Sequence, residues 1–197
     1  MKTDASYEET VEFHGHSCPG LAVGYRVARV AVRELLVERS VDEELVAVVE
    51  NDACGVDAVQ YLCGCTFGKG NLRFLDHGKP VYTFFRRTDG QGVRIYAEPF
   101  HYEDADDARF VELVTKPVLT LEEQDERAQI TARRVQRILT HPEDKFIKLS
   151  SPQIAMPSPA RIFSSENCAD CGERIMSTRV QQKETGRALC IPCAEKT

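Results

Sequence analysis

The eight cysteines of this chain fall into two sets with different surroundings. Cys168, Cys171, Cys190 and Cys193 form two C-x2-C pairs, eighteen residues apart. Two such knuckles supply four soft thiolates, the donor set that zinc takes in a closed tetrahedron. The stretch between them has too little apolar mass to bury four inert cysteines. The sequence therefore predicts a small finger that folds around zinc and is unfolded without it. Residues 174–181 and 186–189 are expected to pair as a hairpin through a polar turn at 183–186, with Gly172 turning the chain behind the second cysteine. Four thiolates leave no open ligand position, so the finger is structural. Arg174, Arg179, Lys183 and Arg187 make its surface mildly basic.

The other four cysteines, Cys18, Cys54, Cys63 and Cys65, sit near His14, His16, Asp52 and Asp57. The run His14-Gly15-His16-Ser17-Cys18-Pro19-Gly20 puts two imidazoles and a thiol at the mouth of a helix opening at Pro19, a residue suited to the first helical position. Backbone N–H groups and the helix dipole at Cys18 favour a thiolate, which serves as nucleophile or soft metal ligand. The alternative is an inert thiol with the histidines capping the helix. Cys54 follows the apolar run 45–50, and strand ends are common places for functional groups. Asp57 is expected either to orient a histidine or to accept a helix-terminal contact, with Gln60 one turn onward on the same helical face. Cys63 and Cys65 flank Gly64 and cannot both point inward from an extended chain. We expect Cys65 to serve the site and Cys63 to stand by. The loop GCTFGKGN frees backbone N–H groups around Lys69 and resembles an anion cradle, although a plain connecting turn is the alternative and no Walker motif is present. These residues predict a mixed Cys/His metal site with His16, Cys18, Cys54 and Cys65 as ligands. Zinc is the default metal, with iron and nickel left open. If the chain is an enzyme, the chemistry is metal-assisted, or an attack by Cys18 with a histidine as base and Asp57 orienting it.

A chain that is 42% hydrophobic and 28% charged is an ordinary folded one, and its length holds one good core with a small appendage. A net charge of -6 does not indicate a nucleic-acid surface. No apolar run approaches the roughly 18 residues of a membrane span. The start MKTDASYEET lacks the apolar core of a signal peptide, so a cytoplasmic protein is expected, in which clustered cysteines mean metal or redox chemistry. The patterns predict a largely buried helix from Pro19, with Arg26, Arg29 and Arg33 as its wet edge, and strands at 45–50, 72–75, 81–87 and 93–97. The last two strands flank the hairpin turn Thr88-Asp89-Gly90. A helix at 104–115 and another from Thr120, with Glu123 closing a capping box, follow. Ala128, Ala132, Val135 and Leu139 form the expected apolar stripe of that second helix. The fold class is α+β, with helices packed on a mainly antiparallel sheet. Residues 1–147 form the core domain, the proline- and serine-rich 148–166 a linker, and 167–197 the finger.

Three segments in order, HGHSCPGL, ENDACGVDAVQ and GCTFGKGNL, resemble the family of the formylmethanofuran dehydrogenase E-subunit, over roughly residues 8–145. Family motif residues match at His14, His16, Cys18, Glu50, Cys54, Asp57, Cys65, Lys69 and Asn71, while Cys63 is extra to the pattern. The resemblance implies an α+β core, a homodimer, and association with the molybdenum or tungsten enzyme of one-carbon metabolism that reduces carbon dioxide onto methanofuran. It places the active site among the histidines and cysteines, with His14, His16, Cys18 and Asp57 as the catalytic candidates and Lys69 and Asn71 as cofactor-binding ones. Homologues occur in organisms that make no methane, so the family name does not fix the reaction. The terminal knuckles resemble the treble-clef finger of small transcription-modulator proteins, with a tail after Cys193 of barely one helical turn. Two other functions compete: a metal- or cofactor-handling accessory protein, and a regulator that contacts protein or nucleic acid through the finger. No helix-turn-helix and no strongly basic face support the regulator.

Overall fold

The computed structural model describes residues 5–100, 105–182 and 186–196, in two compact units divided after Pro159. The first is built on a five-stranded sheet in the order β2-β1-β3-β4-β5. Strand β1 (Leu45–Val49) is LVAVV, buried at every position, and therefore lies inside the sheet with both faces covered. Strand β2 (Leu72–Phe74) runs parallel to it, and β3 (Val81–Arg86) runs antiparallel on its other side. Strands β3 and β4 (Gly92–Ala97) form the expected hairpin, held at its turn by Arg86, which reaches Asp89 at 2.7 Å. Strand β5 (Ile147–Ser150) closes the far edge against β4. The fold is thus α+β, on a mixed sheet in which only the β1–β2 pair is parallel.

Helices cover one face. Helix α2 (Pro19–Leu35) buries Leu21, Val27, Val30 and Leu35 against the sheet. Around it lie α1 (Tyr7–His14), α3 (Gly55–Ala58), which continues as a π-turn over Val59–Cys63, and α5 (Leu121–Thr140). Helix α5 carries its capping box at Thr120 and Glu123, but its buried stripe is Ile130, Val135 and Ile138. Ala128 and Ala132 face outward, because the large branched residues gain more from burial and set the rotation of the helix. Arg26, on the wet edge of α2, donates to the carbonyls of Ile138, Leu139 and His141 and so ties down the end of α5. Helix α4 (Ala105–Thr115) folds back on α5 through Arg109–Glu126 and Arg133–Asp106 pairs.

The opposite face of the sheet is covered by Leu75 and Met156 over Val46, Val48 and Phe85. Met156 belongs to the segment whose composition suggests a linker, and the neighbouring Pro157 carbonyl accepts from Arg87 at 2.9 Å. Residues 148–150 already belong to β5. Proline does not prevent such docking, because beyond an edge strand no ladder hydrogen bond is lost.

In the second unit, β6 (Ser165–Asn167) pairs with β7 (Arg174–Met176), and β8 (Gln181–Gln182) with β9 (Ala188–Leu189). The first knuckle is itself the β6–β7 turn, so 174–176 pair backward and only 181–182 pair with the later strand. Residues 183–185 of the expected turn lie outside the described residues. The one-turn helix α6 (Ile191–Ala194) follows. Cys168, Ile175, Leu189 and Cys193 are the unit's entire buried apolar cluster among the described residues, too little to hold a fold alone. Among the described residues, no helix is long and apolar enough to cross a membrane.

Candidate metal centre

Local sequence signals converge on one point where three helices meet. A capping box at Ser6 and Glu9 starts α1, which ends at His14. Gly15 then adopts φ 97°, a left-handed conformation that costs glycine little, and its N–H returns to the Val11 carbonyl at 2.7 Å. This reversal brings His16 back against His14, with ring centroids 4.5 Å apart. The Tyr7 hydroxyl secures the turn through Ser17 Oγ at 3.0 Å and the Cys18 carbonyl at 3.3 Å. Cys18 is the N-cap of α2, its Sγ accepting from the Leu21 N–H at 3.4 Å. Cys54 immediately precedes α3. The two helix starts are brought together by glycines: a methyl group added at Gly24 would overlap the Gly55 backbone, and one added at Gly55 would lie 2.7 Å from the Tyr82 hydroxyl. No other residue permits that approach.

The result is a cluster of four donors, His14, His16, Cys18 and Cys54, whose ligand atoms all lie within 4.8 Å of one another. His14 Nε2 is 4.0 Å from Cys18 Sγ, and its other nitrogen, Nδ1, is 2.6 Å from Asp57 Oδ2. Gln60 donates to the second oxygen of Asp57 at 2.9 Å. A histidine that turns one nitrogen to a donor cluster and the other to a fixed carboxylate has the arrangement of a metal ligand with an orienting partner. The set of two imidazoles and two thiols fits zinc or a related metal.

Burial pushes the Cys18 thiol up, assisted by the neighbouring Cys54 and opposed by the Leu21 N–H. Burial and the helix-start N–H thus act in opposite senses on this thiol, and a cation beside it would favour the thiolate. The cluster opens on a cavity of about 470 Å³ whose wall includes His14, Cys54, Asp57, Asp52, Phe67 and Phe74. Across the Asn51–Ala53 backbone lies a second cavity, about 550 Å³, with Tyr82, Asn51, Asp52, Glu98 and Phe100 in its wall.

Three expected site residues stand elsewhere. Cys65 is fully buried, donates to the Leu45 carbonyl at 3.4 Å, and has its thiol pushed up to about 12 by burial. Cys63 is equally buried, with Ala28 as its neighbour, so neither thiol reaches the cluster. The chain turns left-handed at Gly64, so the alternation assumed for an extended strand does not apply. Lys69 donates to the carbonyls of Ser40 and Val41 at 3.0 and 3.2 Å. Asn71, fully buried, donates to those of Asp42, Leu45 and Gly64 and accepts from Thr66. Their polar groups hold two loops together and are not offered to an anion. Glu50 pairs with His77 at 2.9 Å. The aromatic wall residues Phe67, Phe74 and Tyr82 are additions from the structure; the one sequence signal for them is an aromatic set among glycines in an exposed loop at Phe67.

The finger brings Cys168, Cys171, Cys190 and Cys193 within 4.8 Å of one another, and Cys171 Sγ is 3.9 Å from Cys190 Sγ. Zinc–thiolate bonds of about 2.3 Å in a tetrahedron put sulfurs about 3.8 Å apart, so the residues fit zinc. Backbone N–H groups of Cys190, Cys171 and Asp170 hold Cys168 down to about 6, while the Cys190 sulfur and burial push Cys193 up to about 12. A divalent ion among the four sulfurs would favour the thiolate form of each.

Fold and clusters together define a small α+β protein with a mixed nitrogen–sulfur metal-ligand cluster in its core and a four-cysteine finger. Residues 13–148 match the family model described as FmdE, molybdenum formylmethanofuran dehydrogenase operon, and residues 161–197 match the prokaryotic dksA/traR C4-type zinc finger. The chain belongs to the FmdE family. It is 35% identical over 191 residues to a probable S-adenosyl-L-methionine-binding protein of Archaeoglobus fulgidus, covering 93% of this chain and 50% of that protein. The chain thus spans about half the length of that curated relative. A solved FmdE-like protein from Syntrophus aciditrophicus, named for a tungsten formylmethanofuran dehydrogenase, shares the fold, with a TM-score of 0.64, 24% identity, and coverage of 98% of this chain and 95% of that one.

Proposed function

We propose that this chain is a metal-dependent protein of one-carbon metabolism that works alongside a molybdenum or tungsten formylmethanofuran dehydrogenase. In this reading a metal held by His14, His16, Cys18 and Cys54 acts on, or is handed to, a ligand in the adjoining cavity. The observation that carries it is the convergence of four donors on one point, with Asp57 fixing one of them. A metal bound there would supply Lewis-acid polarisation of a ligand atom. The chain's own residues orient the histidine through Asp57 and wall the ligand with Val49, Val56, Phe67 and Phe74. The same Asp57–His14–Cys18 line also suits a thiol nucleophile with a histidine base. The metal reading is preferred because a thiol catalyst has no need of His16 and Cys54 at the same point. Cytoplasmic location and a homodimer belong to the proposal; exposed Val111, Val114, Val118 and Leu121 offer an apolar surface for a second copy.

The test is metal analysis of the full chain, with two metals per chain expected and one after Cys18→Ser/Cys54→Ser replacement. One metal in the unaltered protein, confined to the finger, overturns the reading. The name of the archaeal relative supports a second reading, in which the ligand is S-adenosyl-L-methionine. The second cavity combines aromatic walls with Asn51, Asp52 and Glu98, groups suited to a heterocycle, ribose hydroxyls and an ammonium. Calorimetric titration checks this, and the absence of saturable heat removes it.

A further inference from the structure

The four core donors are not held equally. His14, its side chain only 10% exposed, is fixed by Asp57. Cys18 is fixed by the Leu21 N–H at a helix start, and Cys54 by its place at the start of α3 against Gly20. His16 is exposed, and its contact in the cluster is the ring of His14. It sits between Gly15 and Ser17, in a turn rather than an element. We infer that His16 is a displaceable ligand: three anchored donors retain the metal, and the fourth position is exchanged between His16 and an incoming neutral donor. This rests on the metal reading of the core cluster.

Charge sets the class of the incoming group. Two thiolates neutralise a divalent ion, and Asp57 and Asp52 add negative charge to the cavity wall. An anionic donor is therefore repelled, and a neutral one, such as the nitrogen of an imidazole or amine or the oxygen of a carbonyl or alcohol, is admitted. The exchange is one coordinate bond for another: the His16 nitrogen lone pair leaves the metal and the donor's lone pair replaces it, with no change in oxidation state.

The experiment is cobalt(II) substitution of the full chain, followed by its visible ligand-field bands, with the finger's contribution common to all variants. Chelator competition measures affinity for the core site. His16→Ala is expected to keep core cobalt with about a tenfold loss or less. His14→Ala is expected to lose at least the roughly hundredfold that removal of a mere orienting partner can cost. Free imidazole should restore the unaltered spectrum in His16→Ala, and azide at the same concentration should not. His16→Gln, a conservative surface change, guards against a folding artefact and should behave as His16→Ala does. If both His16 variants lose cobalt as completely as His14→Ala, the site is a closed tetrahedron and the inference falls. It also falls if they leave the spectrum unchanged, because His16 is then no ligand. If the unaltered core takes no cobalt, the metal reading itself fails, which distinguishes that result from the other two.

Discussion

At the scale of single residues, the polar groups divide into those that serve the cluster and those that serve loops. Asp57 belongs to the first kind. Replacing it with Asn leaves a side chain of the same shape without the charge that fixes His14, and core metal affinity is expected to fall about 10- to 100-fold, as measured by chelator competition. Asn71 belongs to the second. Asn71→Ala strands the Gly64 carbonyl and the Thr66 N–H, while the Leu45 carbonyl keeps the Cys65 thiol, and should cost about 1–3 kcal/mol per buried group left unpaired. Urea unfolding should reveal that loss while the metal-loaded fraction stays unchanged. The sequence made Asp57 a candidate because it stands near the cysteines with Gln60 one turn on, but a carboxylate in the first turn of a helix also serves the helix end, and only its 2.6 Å contact with His14 separates the two. The sequence did not make Asn71 legible. An asparagine beside glycines and a lysine looks the same whether its amide faces a ligand or three carbonyls, and only the tertiary course of the 40–45 loop decides between them.

Among the elements, the meeting of α2 and α3 matters most. Their backbones touch at Gly24 and Gly55, and that contact sets the distance between the residues at the two helix starts. Gly24→Ala is expected to wedge the helices apart, at a cost of about 1–3 kcal/mol or more for an overpacked core. It should also weaken core metal binding, although residue 24 is no ligand; denaturant unfolding and metal analysis on one sample check both. A glycine at position 24 of a largely buried helix permits close backbone approach, but nothing local in the sequence encodes which backbone arrives. Strands β1 to β4 were readable from β-branched runs and the Asp-Gly turn, whereas β5 fell in the stretch divided between core and linker. The parallel β1–β2 pairing was not readable, since it follows from the intervening helix and π-turn returning the chain to the same edge.

At the scale of the whole molecule, two units depend on metal to different degrees. The first buries a large apolar cluster on both faces of its sheet, whereas the second buries little beyond its cysteines. A strong chelator should therefore melt the finger at temperatures where the first unit keeps its sheet. Circular dichroism with hydrogen exchange should show 165–196 losing protection first, and simultaneous loss in both units would contradict this. The finger's zinc spacing was plain in the sequence because two knuckles admit few other interpretations. The fate of 151–157 was not, because proline-rich composition describes a free linker and a docked strap equally well.

The glycine contact between α2 and α3 has a consequence for how such proteins diversify. The two sulfurs of the core cluster are spaced by main chain against main chain, whereas Phe67, Phe74 and the neighbouring cavity wall are side chains on separate segments. Substitution can reshape the wall over many generations without altering the sulfur spacing. Conversely, a side chain at either glycine disturbs that spacing whatever the wall has become. The molecule that the cavity admits can thus change while the arrangement of the sulfurs stays as it is.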